Sequence, residues 1–330
     1  ELAQDVIGRI ERHDAKVNAV CVRDFEQGLA AARKADAAIA RREHKPLLGI
    51  PMTVKESLNT AGLPTTWGIP AQKDFIAAED ALSVARTKDA GAVILGKTNV
   101  PLSLADWQSY NDIYGTTNNP YDLGRTPGGS SGGSSAALAA GYGALSIGSD
   151  IGGSLRVPAF HCGIYAHKPT FDLVPSRGNT PPSLPPLPFG RDLSVVGPMA
   201  RSAADLSLLL DVMAGPDPLE AGKAYRLDLP PPRHNGLRDF RLLIIDTDPL
   251  MPTDAVVRGS INELAARLEK AGAKIERSSP RLPDFAASSR LYMRMLMSFL
   301  GASFAPEVYA GAQAAAAALP PSDTSLAAER

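Results

Sequence analysis

The chain has 330 residues, and its 34 Lys and Arg nearly balance its 35 Asp and Glu, which gives a formal net charge of −1. Such a balance lacks the excess of positive charge that binds nucleic acids and membrane surfaces, so we expect no nucleic-acid partner and no membrane association. Hydrophobic residues make up 44% of the chain, which is enough for a large buried core. The sequence contains no run of 18 apolar residues that would predict a transmembrane helix.

The two cysteines, Cys21 and Cys162, are too few and too far apart in sequence to form a disulfide framework. Such sparse use of cysteine suits a reducing compartment, so a cytoplasmic location is expected. The chain begins with Glu1 rather than Met, which leaves a preceding leader segment as an open alternative.

Hydrophobic periodicity predicts the elements of the first half of the chain. Two amphipathic helices are predicted, over residues 2–13 and from the candidate N-cap Asp24 onward. Their apolar faces consist of Leu2, Val6, Ile7 and Ile10 in the first helix, and of Phe25, Leu29, Ala32 and Ile39 in the second. A third helix is predicted over 79–90, and buried strands are predicted at 49–55 and 92–95.

The second half of the chain continues this alternation. Residues 136–140 predict a helix, residues 144–147 predict a strand, and 175–190 is a proline-rich stretch expected at the surface. A helix is predicted over 201–214, with an inward face of Ala203, Leu206, Leu209 and Leu210. The remaining predictions are a strand at 241–246, a helix at 255–271, a strand at 273–276 and an alanine-rich helical stretch at 286–319. Strands that alternate with helices indicate an α/β fold.

Residues 91–98 match the Walker A pattern of nucleotide-binding proteins, as Gly-Ala-Val-Ile-Leu-Gly-Lys-Thr. A phosphate cradle needs a loop between a strand and a helix, where backbone N–H groups are free to point at the anion. Here residues 93–95 are themselves a predicted strand, and Pro101 disfavours a long helix after Lys97. We therefore predict no nucleotide site in this segment.

Two further patterns are also misleading. Residues 128–132 match the G-x-S-x-G nucleophile elbow, but that turn needs a strand directly before it, and residues 118–127 are turn formers. His161, Cys162 and His167 do not have the spacing of metal ligands. We therefore predict neither a metal nor another cofactor.

The most informative segment is 128–158, which contains GGSSGGSSAALAAG followed by SDIGGSLRVP. A flexible linker of glycine and serine is the alternative interpretation. A linker would not continue into the predicted helix and strand, which lie between two Gly-Gly-Ser turns. Glycine permits positive φ and close approach of a ligand to the backbone, and consecutive N–H groups in such a turn can bind an anion.

These motifs resemble those of the amidase signature family of hydrolases. The resemblance extends over nearly the whole chain, through GIPMTVKES at 49–57, AGLPTTWG at 61–68, GAVILGKTNVP at 91–101, YGTTNNPYD at 114–122 and GPMARSAADL at 197–206. It implies an α/β amidase signature fold, in which a central mixed and twisted β-sheet is covered by helices on both faces. It also implies a single domain over 1–330, with a catalytic core at about 45–215.

Members of the family are usually longer than this chain. The resemblance therefore implies that this chain lacks a C-terminal portion, which completes the sheet and walls the acyl pocket in such proteins.

The resemblance implies a Ser-cisSer-Lys triad. Ser154 corresponds to the nucleophile, Ser130 to the bridging serine after a cis peptide bond, and Lys55 to the base. A serine hydroxyl is a weak nucleophile that needs a base, and a lysine can act as one only when it is neutral. The pKa of a free lysine is about 10.4, so it must fall to near neutral pH. Burial among apolar neighbours acts in this direction, and the candidates are Ile50, Met52 and Val54.

Further roles follow from the same resemblance. It implies an oxyanion hole of backbone N–H groups from Ile151, Gly152, Gly153 and Ser154, and a substrate contact at Leu104. Asp150 and Arg156 either pair and brace this turn or are solvated separately. Ser131 forms a hydrogen bond either to Lys55 or to the loop backbone.

The predicted function is hydrolysis of a small-molecule carboxylic amide to a carboxylate and ammonia or an amine, through an acyl-enzyme on Ser154. One alternative is the A subunit of a tRNA-dependent amidotransferase, which requires ammonia transfer and a partner subunit. Another is a non-catalytic binding protein on an amidase scaffold. The sequence does not fix the oligomeric state, for which a homodimer is the working expectation.

Overall fold

The computed structural model describes residues 1–182, 192–220, 226–248, 250–301, 306–320 and 322–323. The chain divides into two compact units, Glu1–Leu227 and Asp228–Arg330. The expectation of a single amidase domain over the whole chain stays a prediction. Every helix within the described ranges is too short or too polar to span a bilayer.

A mixed β-sheet forms the centre of the first unit. The strands described in this unit are β1 (Val20–Arg23), β2 (Pro51–Lys55), β3 (Val93–Thr98), β4 (Tyr110–Asn111), β5 (Gly115–Thr116), β6 (Leu145–Asp150), β7 (Tyr165–Ala166) and β8 (Val195–Ala200). Six of them form a sheet in the order β1-β3-β2-β6-β8-β7, while β4 and β5 pair with each other. Strands β3, β2 and β6 are parallel, whereas β1, β8 and β7 run antiparallel to their neighbours.

Helices pack on both sides of this sheet. The helices described in the first unit are α1 (Leu2–Val17), α2 (Phe25–Ala40), α3 (Leu82–Asp89), α4 (Gly132–Ala139), α5 (Arg156–Cys162) and α6 (Ala203–Met213). One hydrophobic core joins Val54 and Ile147 of the sheet to Leu209 of α6. A second core joins Leu95 of the sheet to Ile10 of α1. The predicted α/β fold with helices on both faces is therefore confirmed.

The predicted inward face of α2 is partly wrong. Ile39 is 54% exposed, and the buried positions of the helix are Gly28, Ala35 and Ala38. A Cβ on Gly28 would lie 2.8 Å from a methyl carbon of Leu95, so the helix lies directly against the sheet. Small residues therefore mediate the closest part of this packing, Phe25 and Leu29 pack against the core while partly buried, and Ile39 points outward. In α6, Ala203 is likewise exposed rather than inward.

The second unit contains a parallel strand pair. It consists of β9 (Arg241–Leu243), α7 (Ala255–Lys270), β10 (Lys274–Glu276), α8 (Phe285–Gly301) and α9 (Pro306–Ala317). Strands β9 and β10 pair in parallel and are connected through α7, as in a βαβ unit. The predicted strand at 241–246 thus ends early, at Leu243. The helical stretch predicted at 286–319 contains two helices, and its residues 302–305 lie outside the described residues, as do residues 183–190 of the proline-rich stretch.

Candidate active site

Strand β2 carries Lys55 into the interior at its C-terminal end. All five residues of the strand are buried, and Lys55 itself is 0% exposed. Its Nζ donates hydrogen bonds to Ser130 Oγ at 2.7 Å and to Ser149 Oγ at 3.0 Å. Burial lowers the pKa of Lys55 to about 7, although the carboxylate of Asp150 acts in the opposite direction. A large fraction of this amine is therefore neutral at neutral pH and can accept a proton.

Ser130 lies in the turn that leads into α4. The Gly129–Ser130 peptide bond is cis, as the family resemblance implies, and the serine is 1% exposed. Glycine is required before it, because a Cβ on Gly129 would lie 2.2 Å from the carbonyl oxygen of Gln108. The backbone of the 106–108 segment therefore packs directly against the turn that carries the bridging hydroxyl.

Ser154 follows β6 in the turn before α5 and is 5% exposed. The amide of Ser131 donates to the Ser154 carbonyl oxygen at 3.1 Å, so the two serine-bearing turns are adjacent. Among the described residues, the Ser154 hydroxyl makes no hydrogen bond. The structure thus joins Lys55 to Ser130 directly and brings Ser154 beside them through the backbone.

Asp150, at the end of β6, organises the turn that carries Ser154. Its side chain is fully buried and forms a bidentate ion pair with Arg156, at 2.9 Å to Nη2 and 3.1 Å to Nε. It also accepts hydrogen bonds from the amides of Gly153 and Leu155, at 2.9 and 3.0 Å. Burial alone would raise the pKa of Asp150, but the Arg156 and amide donors outweigh it and hold the pKa below its usual range. The two side chains are therefore paired rather than separately solvated.

The backbone amides predicted to form the oxyanion hole differ in whether they already donate a hydrogen bond within the protein. The Gly153 amide is already held by Asp150, so it braces the turn instead of standing free for an oxyanion. Within the described part of the chain, the amides of Gly152 and Ser154 donate to no residue. Ile151 is half-buried beside them. Gly153 has a φ of +114°, which glycine adopts without steric cost.

The structure decides between the two partners that the sequence left open for Ser131, and it assigns the contact with Lys55 to Ser149. The Ser131 hydroxyl donates to the Ser149 carbonyl at 3.3 Å and accepts from the Ser149 amide at 3.4 Å, so it contacts backbone rather than Lys55. Gly148 makes room for it, because a Cβ there would lie 2.8 Å from Ser131 Oγ. Ser149 supplies the second hydroxyl to Lys55. The sequence motifs did not identify this residue, although it is a polar residue at the end of a strand next to β2.

Trp107 is a second residue that the sequence motifs did not identify. Its indole Nε1 donates to the Gly152 carbonyl oxygen at 3.0 Å, while the residue as a whole is 57% exposed. A tryptophan between the polar residues Asp106 and Gln108 was the available signal in the sequence.

Leu104 lies in the same loop as Trp107. It is half-buried and has a left-handed backbone, with a φ of 60°. Its contact with a substrate stays a prediction.

Two of the three misleading patterns, the Walker-like and the G-x-S-x-G segments, have structural explanations. Lys97 of the Walker-like segment lies within β3, where it is fully buried and donates to Thr65 Oγ1 at 2.6 Å and to the Pro64 carbonyl. The G-x-S-x-G segment has no strand in residues 117–131, all of which the structure describes. Among the described residues, no group of three His, Cys, Asp or Glu side chains is arranged to hold a metal ion.

Comparison with known proteins places these motifs in context. The sequence model of the Amidase family matches residues 1–320. The glutamyl-tRNA(Gln) amidotransferase of Moorella thermoacetica has an A subunit that is 39% identical over 277 residues, which are 84% of this chain and 54% of that protein. Fatty-acid amide hydrolase 2-A of Danio rerio is 39% identical over 252 residues, which are 72% of this chain and 46% of that protein.

The structures agree with the sequences. The crystal structure of a bacterial aryl acylamidase of the amidase signature family superposes with a TM-score of 0.76 at 26% identity, covering 92% of this chain and 62% of that chain. The present chain spans about half the length of the curated relatives named above. The family match and the shared fold lead to one conclusion: the chain belongs to the amidase signature family.

Proposed function

We propose that this protein is an amidase that hydrolyses a carboxylic amide to a carboxylate and ammonia or an amine, in the class EC 3.5.1.4. The observation that carries the proposal is the 2.7 Å hydrogen bond from the buried Lys55 amine to Ser130 Oγ, beside the turn of Ser154. An amine with a pKa of about 7 next to a chain of hydroxyls is suited to general base catalysis near neutral pH.

In the proposed acylation step, Ser154 Oγ attacks the amide carbonyl carbon and forms the new C–O bond. The Ser154 proton passes to Ser130 Oγ, whose own proton passes to the neutral Nζ of Lys55. The tetrahedral intermediate then collapses as the C–N bond breaks, and the leaving amine takes the proton back from Lys55 through Ser130. Water attacks the acyl-enzyme by the same relay and releases the carboxylate.

The relay requires Ser154 Oγ to approach Ser130 Oγ when an amide binds. Catalytic hydrogen bonds are often long in ligand-free enzymes and tighten in the substrate complex, so the unbonded Ser154 hydroxyl fits this step. The developing oxyanion would be stabilised by the amides of Gly152 and Ser154, with Ile151 completing the turn. The loss of one such donor typically lowers the rate by a factor of about 10²–10³.

The substrate class is proposed from the apolar residues at the predicted site. Leu104 and Ile151 favour an aliphatic or aryl amide over a charged one. A panel of such amides, assayed by release of ammonia or amine, tests the proposal. A fluorophosphonate probe that reacts with active serines should label the wild-type protein and fail to label Ser154→Ala. A folded wild-type chain that neither hydrolyses the panel nor reacts with the probe would contradict the proposal and favour a non-catalytic binding protein.

A second candidate is the A subunit of a tRNA-dependent amidotransferase. The observation that favours it is the 39% identity to such a protein from Moorella thermoacetica, although the fatty-acid amide hydrolase of Danio rerio is equally identical over a shorter segment. The two functions differ in their dependence on a partner. Release of free ammonia by the isolated protein favours the amidase, whereas activity that appears only with a partner subunit favours the amidotransferase.

A further inference from the structure

The residue after Lys55 is a second buried ionisable group, which the proton relay does not use. Glu56 is 0% exposed, and its carboxylate accepts hydrogen bonds from the amides of Thr66 and Trp67 at 2.5 and 3.0 Å. The hydroxyl of Tyr114 donates a third hydrogen bond to the same carboxylate at 3.1 Å. A buried carboxylate with three donors holds its partners firmly, because each charged hydrogen bond is lost at high cost when one partner is removed.

Lys97 fixes the same loop at its other end. Its buried amine donates to Thr65 Oγ1 at 2.6 Å and to the carbonyl oxygen of Pro64. The indole of Trp67 adds a hydrogen bond to the Ser57 carbonyl at 3.1 Å. The loop over residues 64–67 is therefore held by two buried ionisable side chains from neighbouring strand ends.

The loop over residues 64–67 in turn holds the segment 103–108, which leads to the candidate active site. Trp67 has a left-handed backbone, with a φ of 55°, and its carbonyl oxygen accepts a hydrogen bond from the Ser103 amide at 2.8 Å. Ser103 and Leu104 are left-handed as well, with φ of 54° and 60°. Non-glycine residues keep this conformation only where their surroundings enforce it. The carboxylate of Glu56 supplies part of that enforcement through the amide of Trp67.

The far end of the segment lies against both catalytic turns. Trp107 donates to the Gly152 carbonyl in the turn before Ser154, at 3.0 Å. The carbonyl oxygen of Gln108 packs so closely on Gly129 that a Cβ there would lie at 2.2 Å, directly before Ser130. A shift of the segment would therefore displace the oxyanion turn and the bridging serine together.

We propose that Glu56 is a positioning residue of this active site, which holds the left-handed turn at Ser103 and Leu104 and thereby keeps Trp107 on the Gly152 carbonyl. Its kinetic consequence rests on the proposed amidase function, whereas the path of contacts can be tested without activity. The oxyanion turn acts on the transition state, so the loss of this positioning lowers kcat and leaves KM unchanged.

The chain offers a direct probe, because its two tryptophans, Trp67 and Trp107, both lie on this path. Protein labelled with 5-fluorotryptophan gives one ¹⁹F resonance for each, and the variant Trp107→Phe assigns them. Glu56→Gln keeps the size of the side chain but replaces one acceptor oxygen by a donor. We expect it to shift the Trp107 resonance towards that of a solvent-exposed indole, and to lower kcat about tenfold, as a small misplacement of catalytic groups does.

A merely structural role is separated by two readouts. The pH dependence of the rate should keep its wild-type midpoint in Glu56→Gln, because the charge that opposes burial at Lys55 is that of Asp150. Thr53→Val is the matched control, since Thr53 is a buried residue of β2, the strand that directly precedes Glu56, and its hydroxyl donates to Ser146 Oγ at 3.1 Å. It should lower the melting temperature without moving the Trp107 resonance or kcat.

Tyr114→Phe provides a milder variant in case Glu56→Gln does not fold. It removes one donor to the carboxylate at a half-buried position and should shift the Trp107 resonance in the same direction by a smaller amount. An unchanged Trp107 resonance in the folded variants overturns the inference, even if the amidase activity of the wild type is intact. A shifted resonance in a protein without any amidase activity supports the contact path and overturns the proposed function instead.

Discussion

Two lysines are fully buried on neighbouring strands of the central sheet, Lys55 at the end of β2 and Lys97 near the end of β3. Burial lowers the pKa of both, to about 7 for Lys55 and to about 8 for Lys97. Judged by burial and pKa alone, either amine could serve as a general base near neutral pH.

Their hydrogen-bond partners separate the two sites. Lys55 donates to two serine hydroxyls, and a hydroxyl can accept a proton on one side and release its own on the other. Lys97 donates to the carbonyl of Pro64, which has no proton to release, and to the fully buried hydroxyl of Thr65. Burial therefore prepares a lysine to accept a proton, while a nucleophile beside the neighbouring hydroxyl, as the turn of Ser154 lies beside Ser130, decides whether a proton can reach it.

Of the variants that test this comparison, Lys55→Met should lower kcat the most. Removal of the general base should lower kcat for a simple amide by about 10³–10⁴, at the upper end of what general base catalysis contributes. The measurement is the steady-state rate across neutral pH, with circular dichroism to verify the fold. A rate equal to that of the wild type would assign the base to another group.

Lys97→Met is the matched variant on the neighbouring strand. It removes an amine of equal burial and should mainly lower the melting temperature, because the Pro64 carbonyl loses its donor. The residual activity should keep the ascending limb of the pH–rate profile near the pKa of Lys55, about 7. Loss of that limb in Lys97→Met would show that Lys97, and not Lys55, is the general base.

A smaller effect is expected for Ser130→Ala. The variant keeps both the nucleophile and the base but interrupts the hydroxyl chain between them, so kcat should fall by about 10²-fold or more. Labelling of Ser154 by a fluorophosphonate should slow by a similar factor. Ser131→Ala at the adjacent residue removes a hydroxyl that, among the described residues, bonds only to the backbone of Ser149, and it serves as the control for local disturbance of the turn. Equal labelling rates in Ser130→Ala and wild type would exclude the relay.

Asp150→Asn should shift the pH–rate profile and lower kcat only moderately. The carboxylate raises the pKa of Lys55 against the effect of burial, so its neutralisation should lower that pKa further. The ascending limb should therefore move to lower pH, while kcat falls about tenfold through weaker bracing of the turn. Arg156→Gln controls for the loss of the ion pair, because it keeps the Asp150 carboxyl group and its two amide donors. A limb that moves to higher pH would contradict the assignment of Lys55 as the base.

Much of the framework was predictable because its signals are local. The buried strand that ends in Lys55 follows from a short apolar run, and the segment around Ser130 and Ser154 from two glycine-rich turns. The contacts of Ser149 and Trp107 were not predictable, because each joins residues more than 40 positions apart whose proximity arises only from the packed sheet and loops. The Gly153 amide was predicted as an oxyanion donor for a different reason: its partner Asp150 is only three positions away, but the contact can be identified only once the turn has closed.

Strand β8 shows the same limit at the level of secondary structure. Its six residues are all buried and pair along the full length of β6, yet their middle reads Gly197-Pro198, which is typical of a turn. Gly197 is required because a Cβ would lie 2.3 Å from the His167 carbonyl oxygen. The Pro198 carbonyl accepts from the His167 amide. A local pattern could not predict this strand, because Gly197 is explained only by the close approach of the backbone at His167.

The smallest expected effect is on the pH dependence of the free energy of unfolding, to which the two lysines contribute at different pH values. An unfolded lysine has a pKa of about 10.4, so above the folded pKa the unfolded chain binds more protons and the free energy of unfolding rises with pH. This rise should begin near pH 7 for Lys55 and near pH 8 for Lys97. In Lys55→Met the onset should therefore move from about 7 to about 8, whereas Lys97→Met should keep the onset near 7 and have a shallower slope above 8.

Urea unfolding measured between about pH 7 and about pH 8.5 covers this window before the thiols interfere. Burial raises the pKa of Cys21 and Cys162, so above that range the unfolded thiols lose protons first, and the contribution of the thiols to stability falls against the rise from the two lysines. Parallel curves for wild type and Lys55→Met between pH 7 and 8 would mean that the buried amine does not become neutral there. In that case the hydroxyl chain would lead to an ammonium, and the distinction between the two lysines would lose its chemical basis.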